Sequence, residues 1–145
     1  MSEFYLNPGL PKPVASSDGL DAPYWKGLQE NKLLIQRCSS CHKFQWGPEW
    51  ICHRCHSFDL AFEEVVATGT IFSHERVWHP VHPALTDQGP YIVVLVELGQ
   101  ADNIRLVGNL LGDPKQKISI GSGVSAIFEH HHDDPGFTLL QWQLV

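Results

Sequence analysis

Apolar positions recur along this chain with two different periods, and the change falls at a group of cysteines. Upstream, Tyr24, Trp25 and Leu28 repeat at helical spacing behind Asp21-Ala22-Pro23. Aspartate at a cap and proline in the first turn mark a helix start. The pattern therefore predicts a short helix that ends in the polar residues before Lys32. Leu33-Leu34-Ile35-Gln36-Arg37 is short and apolar and runs directly into Cys38, which predicts the first strand of a metal-binding ribbon. Downstream the helical period disappears. Phe62 to Val66, Gly69 to His79, Tyr91 to Val96, Ile104 to Leu111, Val124 to Phe128 and Phe137 to Leu144 read as strands. Tyr91 to Val96 is the strongest of them, being rich in β-branched residues. Breakers lie between them at Pro80 to Pro90, Gly99 to Asn103, Gly112-Asp113-Pro114, Gly121 to Gly123 and Asp133 to Gly136. Closely spaced strands with no helical period between them suggest a small closed or nearly closed barrel.

The expected organisation is mainly β: an arm and short helix over 1–32, a four-cysteine ribbon over 33–60, and a barrel over 61–145. Pro8, Pro11 and Pro13 fix φ and remove donors, so the first twenty residues should be extended. Phe4, Tyr5 and Leu6 are bulky for a free tail and suit docking on a partner or on the chain's own core, the plain alternative being a frayed terminus.

Composition narrows the class. A hydrophobic fraction of 43% supports a real core, and ten prolines with twelve glycines favour a turn-rich, strand-dominated fold. No apolar run approaches the roughly 18 residues of a membrane helix. Met1-Ser2-Glu3-Phe4 lacks the basic start and apolar stretch of a secretory signal, so a cytoplasmic protein without a membrane partner is expected. Charge is unevenly spread: residues 1–56 carry a net of +1 and residues 57–145 a net of −7. An acidic barrel disfavours a phosphate backbone as partner.

The four cysteines are Cys38, Cys41, Cys52 and Cys55, two C-x2-C pairs ten residues apart. Each pair sets two sulfurs on one tight knuckle, and a hairpin brings two knuckles together as a tetrahedral set for zinc. Disulfides would need an oxidising compartment, and a redox C-x-x-C normally comes singly in a βαβ unit. Iron takes the same sulfurs, and spacing does not separate it from zinc. Four thiolates fill the shell and leave no position for water, so one structural rather than catalytic zinc is expected per chain. His42, His53 and His56 read as exposed knuckle residues, with Trp46, Pro48 and Trp50 available to cover one side of the site.

Other candidates for chemistry are weak. With every cysteine on metal, no free thiol remains. Ser73, His74 and Glu75 are adjacent on a strand and so face alternate sides, which is no triad. His79 and His82 flank Pro80 on a loop, and His130-His131-His132-Asp133-Asp134 reads as a polar rim. Gly121-Ser122-Gly123 reads as a strand connection, and no glycine-rich phosphate loop precedes a helix. No catalytic residue is assigned.

The ordered series Tyr24-Trp25-Lys26-Gly27-Leu28, Leu34-Ile35-Gln36-Arg37-Cys38-Ser39-Ser40-Cys41, Gly69-Thr70-Ile71-Phe72-Ser73, Pro90 to Leu98 and Ile120-Gly121-Ser122-Gly123-Val124 resembles the acyl-CoA-associated OB-fold family. Members of that family carry an N-terminal rubredoxin-like zinc ribbon. The resemblance spans about residues 21–145. It implies a five-stranded OB-fold barrel and an accessory subunit rather than an independent enzyme. It also implies a thiolase-like catalytic partner in a hetero-oligomer, with a coenzyme A thioester bound jointly. The partner would supply the nucleophile and acid–base groups for thiolytic C–C cleavage of a β-ketoacyl-CoA. His74 and Ser122 depart from the family pattern. Trp78, Tyr91 and Trp142 would suit a bulky or aromatic acyl group, benzoylsuccinyl-CoA among them. The alternative from another class is a nucleic-acid-binding module, since zinc ribbons and OB-folds both serve there. It needs a basic groove with aromatic platforms, whereas residues 57–145 offer only Arg76, Arg105, Lys115 and Lys117 against eleven acids.

Overall fold

The computed structural model describes residues 14–16, 18–79, 81–87, 89–132 and 134–145. The expectations for Phe4, Tyr5, Leu6 and the arm prolines lie outside the described residues.

Helix α1 spans Ala22–Gln29 with Pro23 in its first turn, and buries Tyr24, Gly27 and Leu28. Asp21 stands at the cap position, but its side chain makes no cap hydrogen bond. Its carboxylate instead accepts the indole N–H of Trp25 at 2.7 Å. A half-buried indole needs an acceptor, and one helical turn sets Trp25 over Asp21. Gly27 lets the helix lie close on the next strand: a Cβ there would stand 2.7 Å from Leu34 Cγ.

Three strands form the ribbon's sheet: β1 (Leu33–Cys38), β2 (Phe44–Gln45) and β3 (Leu60–Val65), in the order β2-β1-β3. Strand β3 pairs along all of β1, from Leu33↔Val65 to Cys38↔Leu60. The strand expected at 62–66 is thus laid beside the ribbon's first strand. A second sheet contains β4 (Thr68–Val77), β5 (Tyr91–Leu98), β6 (Ile104–Asn109), β7 (Gly123–His131) and β8 (Phe137–Leu144). Its order is β6-β5-β4-β7-β8. A parallel bridge between Leu110 and Trp142 joins its two ends. There the Leu111 amide donates to the Trp142 carbonyl at 2.8 Å. The result is a nearly closed five-stranded barrel.

Inward-facing Ile92, Val94, Val96 and Leu98 of β5 alternate with half-buried residues on the outer face, as one strand of a barrel requires. Ile71, Leu106, Leu110, Val124, Leu140 and Trp142 complete the barrel core. Tyr24 and Leu28 of α1 and Leu33 and Ile35 of β1 belong to the same cluster, so helix, ribbon and barrel share one hydrophobic core. Two polar latches reinforce this junction. Gln100 Nε2 donates to the carbonyls of Val66 (2.6 Å) and Thr68 (2.9 Å). The Asp102 carboxylate accepts the Phe44 amide at 2.9 Å and Lys43 Nζ at 3.1 Å. Those bonds, the Phe44 amide first, hold the Asp102 carboxyl below its usual range.

Candidate metal centre

The two cysteine knuckles are built alike. In the first, the Cys38 amide donates to the Lys43 carbonyl (3.0 Å) and the His42 amide to the Cys38 carbonyl (2.9 Å). In the second, the Cys52 amide donates to Ser57 (2.9 Å) and the His56 amide to Cys52 (3.1 Å). Both turns need a left-handed residue after the second cysteine, and histidine supplies it twice, with φ 61° at His42 and 60° at His56. Backbone amides also reach the sulfurs: Cys41 N to Cys38 Sγ at 3.5 Å and Arg54 N to Cys52 Sγ at 3.4 Å.

The four Sγ atoms lie within 4.8 Å of one another. The Cys38–Cys55 and Cys41–Cys52 sulfur pairs stand at 3.5 and 3.6 Å. A zinc tetrahedron with bonds of about 2.3 Å has edges of about 3.8 Å, so the set fits the ion. Electrostatics point the same way. The amides of Cys55 and Arg54 pull the Cys52 thiol down to about 6. The Cys38 thiol is also lowered, chiefly by the Cys41 amide. At Cys55 the Ser57 amide pulls down, but burial and the other three sulfurs outweigh it and push the thiol up to about 12. A bare cluster therefore resists its last ionisation, and a dication removes that resistance. These four cysteines are positioned to hold a zinc ion in a rubredoxin-like ribbon.

A buried amide pair that no local pattern signals supports the second knuckle. Gln36 on β1 and Gln45 on β2 face each other in register and are both buried. Gln45 Nε2 donates to Gln36 Oε1 at 2.7 Å. Gln36 then holds both backbone groups of Glu49, accepting its amide (2.9 Å) and donating to its carbonyl (3.0 Å). Gln45 Oε1 accepts the His53 amide at 3.0 Å, inside the second C-x2-C. The loop that carries Cys52 is thereby tied to the strands that carry Cys38.

Several expectations need correction. Trp50 does not cover the site; it is 73% exposed. Trp46 packs edge-on against Tyr24 at 4.7 Å, toward the helix. Trp142 is wholly buried in the barrel core and is not available to a surface acyl pocket as a stacking platform. The histidine run is only partly a rim. His131 is buried, stacks on Phe137 at 4.6 Å, and bonds Glu129 through Nε2 at 2.7 Å. His130 has both ring nitrogens engaged, with Thr138 (2.9 Å) and Asn31 (2.8 Å). His74, His79 and His82 are exposed, and Ser73-His74-Glu75 lies along β4 without forming a triad.

The fold and site define a rubredoxin-like zinc ribbon joined to an OB-like barrel. Residues 25–61 match the family model described as the ChsH2 rubredoxin-like zinc ribbon domain. A solved structure named "Ltp2-ChsH2(DUF35) aldolase" contains a chain 34% identical to this one. The match covers 92% of this chain and 98% of that one, with a TM-score of 0.74. A DUF35-family protein of unknown function from Sulfolobus solfataricus shares the fold, with a TM-score of 0.59 at 15% identity over 88% of this chain and 87% of that one. A Thermomonospora curvata protein named "Probable enoyl-CoA hydratase alpha subunit" is 36% identical over 129 residues. That match takes in 89% of this chain but only 38% of the relative's length. The chain belongs to the ChsH2/DUF35 family of acyl-CoA-associated zinc-ribbon proteins. Among the described residues, no helix is long and apolar enough to cross a membrane.

Proposed function

We propose that this chain is the zinc-stabilised, non-catalytic subunit of an acyl-CoA enzyme complex that breaks a C–C bond, its partner being a thiolase-like catalytic subunit. The observation that carries this reading is the near full-length likeness to the ChsH2 chain of a structure named for an aldolase. The chain's own chemistry agrees. All four cysteines serve the metal cluster, and Ser73, His74 and Glu75 do not converge. An acyl-CoA cleavage needs a positioned nucleophile or base, which the partner supplies. The net of −7 over residues 57–145 makes a nucleic-acid partner the weaker reading.

Thiolysis, on a bulky or aromatic β-ketoacyl-CoA, is the reading the sequence favours; aldol cleavage of an acyl-CoA is the one the structural neighbour favours. The two differ in products. Thiolysis consumes coenzyme A and yields two thioesters, whereas aldol cleavage yields one thioester and a free carbonyl compound without consuming coenzyme A. Affinity purification of the tagged chain from its native host, partner identification and product analysis test the proposal. A thiolase-like subunit and one of these product sets are expected. Recovery of the chain alone, or bound to nucleic acid, refutes it.

A further inference from the structure

Large aromatic side chains stand at the surface of this protein in two different ways. Phe72 and Trp78 each lie by an arginine: Arg105 sits 3.6 Å over the Phe72 ring, and Arg76 5.9 Å from that of Trp78. On the ribbon, Trp50 is 73% exposed and Phe58 79% exposed. Among the described residues, neither has a ring or a cation against it.

Both residues flank the second cysteine knuckle. The Cys52 amide donates to the Ser57 carbonyl at 2.9 Å, so Ile51 and Phe58 leave the neck of that knuckle side by side. Ile51 is itself exposed, and Trp50 precedes it in the chain. The backbone here is held at four points. Gln36 holds both backbone groups of Glu49, and Gln45 holds the Ile51 carbonyl (3.3 Å) and the His53 amide (3.0 Å). The buried amide pair thus fixes the chain on either side of Trp50. An apolar group presented on fixed backbone loses little entropy when it docks.

Area and charge select what docks. At about 150–250 Å² per aromatic side chain, the exposed parts of Trp50 and Phe58 come to about 300–350 Å², the scale of a functional patch. Two copies of this chain meeting through it would bury about 700 Å², short of the ~1,200 Å² of a stable interface. A larger partner can extend the contact beyond the patch. Glu49 and Asp59 are exposed beside it, and a zinc ion held by four thiolates is a unit of net negative charge. Against these, the knuckle offers Arg54 alone. The zinc-loaded face is therefore acidic, which repels anionic lipid and nucleic acid.

We infer that Trp50, Ile51 and Phe58 form the surface through which the ribbon docks on its catalytic subunit, in an apolar pocket with a basic rim. The identity of the partner rests on the proposed function; the patch does not.

The test measures binding of the full zinc-loaded chain to the purified catalytic subunit by surface plasmon resonance. Trp50→Ser combined with Phe58→Ser should weaken binding about thirtyfold or more, as the loss of aromatic hot spots does. Both side chains are at the surface, so zinc content and thermal midpoint should stay at wild-type values. Should the double variant lose zinc, Trp50→Ser alone carries the test, with about tenfold weakening expected. Ile120→Ser, at an exposed apolar position outside the ribbon, should bind like wild type. Glu49→Lys should weaken binding severalfold at low salt and much less at about 1 M salt, where charges are screened within about 3 Å. Wild-type affinity in the zinc-loaded aromatic variant, tighter binding by Glu49→Lys, or a dimer of the chain alone that the aromatic variant loses overturns the inference. Equal binding by wild type and aromatic variant refutes this inference and leaves the proposed function standing. No binding by the wild-type chain refutes the proposed function, and this choice of occupant with it.

Discussion

Replacing Gln36 by leucine measures how far the buried amide pair supports the metal centre. Leucine approximates the volume but removes the bonds from Gln45 Nε2 (2.7 Å) and the Glu49 amide (2.9 Å) and the bond to the Glu49 carbonyl (3.0 Å). Glu49 is at the surface, where water can take over its backbone groups. Gln45 is buried, and its amide nitrogen keeps only the Ile51 carbonyl at 3.3 Å. One poorly paired buried donor costs about 1–3 kcal/mol, and two replaceable bonds about 0.5 kcal/mol each, which gives about 2–4 kcal/mol. Metal binding and ribbon folding are coupled, so the loss should appear in the zinc affinity. At about 1.4 kcal/mol per factor of ten, zinc should bind about 30- to 700-fold more weakly. Competition against a chromophoric chelator at neutral pH reads this directly. An affinity within about threefold of wild type would show that the glutamines do not support the second knuckle.

Asp102→Asn removes the ion pair with Lys43 and should loosen the ribbon by less than about 1 kcal/mol at neutral pH. The Asp102 carboxyl is lowered in the fold, so its contribution is present above the unfolded carboxyl range and lost as pH falls through the folded value. The difference between variant and wild type in urea unfolding should thus begin to shrink as pH falls into the ordinary carboxyl range and vanish only below the lowered folded value. His42→Gly and His56→Gly relax left-handed backbone and should each be neutral or stabilising by up to about 1 kcal/mol, with zinc content unchanged; a β-branched residue at either place should lower the thermal midpoint. Gly108→Ala sets a Cβ 2.7 Å from Trp142 Cδ1 and 2.9 Å from the Leu140 carbonyl. It should cost about 1–3 kcal/mol by overpacking, measured by urea unfolding.

The sequence disclosed what depends on local spacing. Paired C-x2-C motifs close a metal shell wherever the chain folds, so Cys38, Cys41, Cys52 and Cys55 were legible at once. Tyr91 to Val96 carries its strand signal in its own β-branched side chains, and β5 lies there. What depends on distant partners was hidden. Gln36 stood in a run read only as the ribbon's first strand, and only the pairing with Gln45 and the fold-back of Glu49 make it a buried hub. Asp21 had the identity of a cap, but the indole one turn later competes for its carboxylate more effectively than the backbone does. Trp142 could be counted as an available aromatic until the Leu110 bridge set it inside the barrel. His131 could not be told from His130 and His132 in a run of three. Alternation on β7 decides which faces are covered, and the Glu129 pairing comes with it.

On the proposed function, this chain completes an acyl-CoA enzyme without performing the chemistry. Turnover of an acyl-CoA substrate should be compared in three preparations: the zinc-loaded chain alone, the thiolase-like partner alone, and the two co-expressed. The chain alone should be inactive, the partner alone unstable or weakly active, and the pair active with an interface of at least about 1,200 Å². Cleavage by the isolated chain, or a partner equally stable and active without it, would contradict that role.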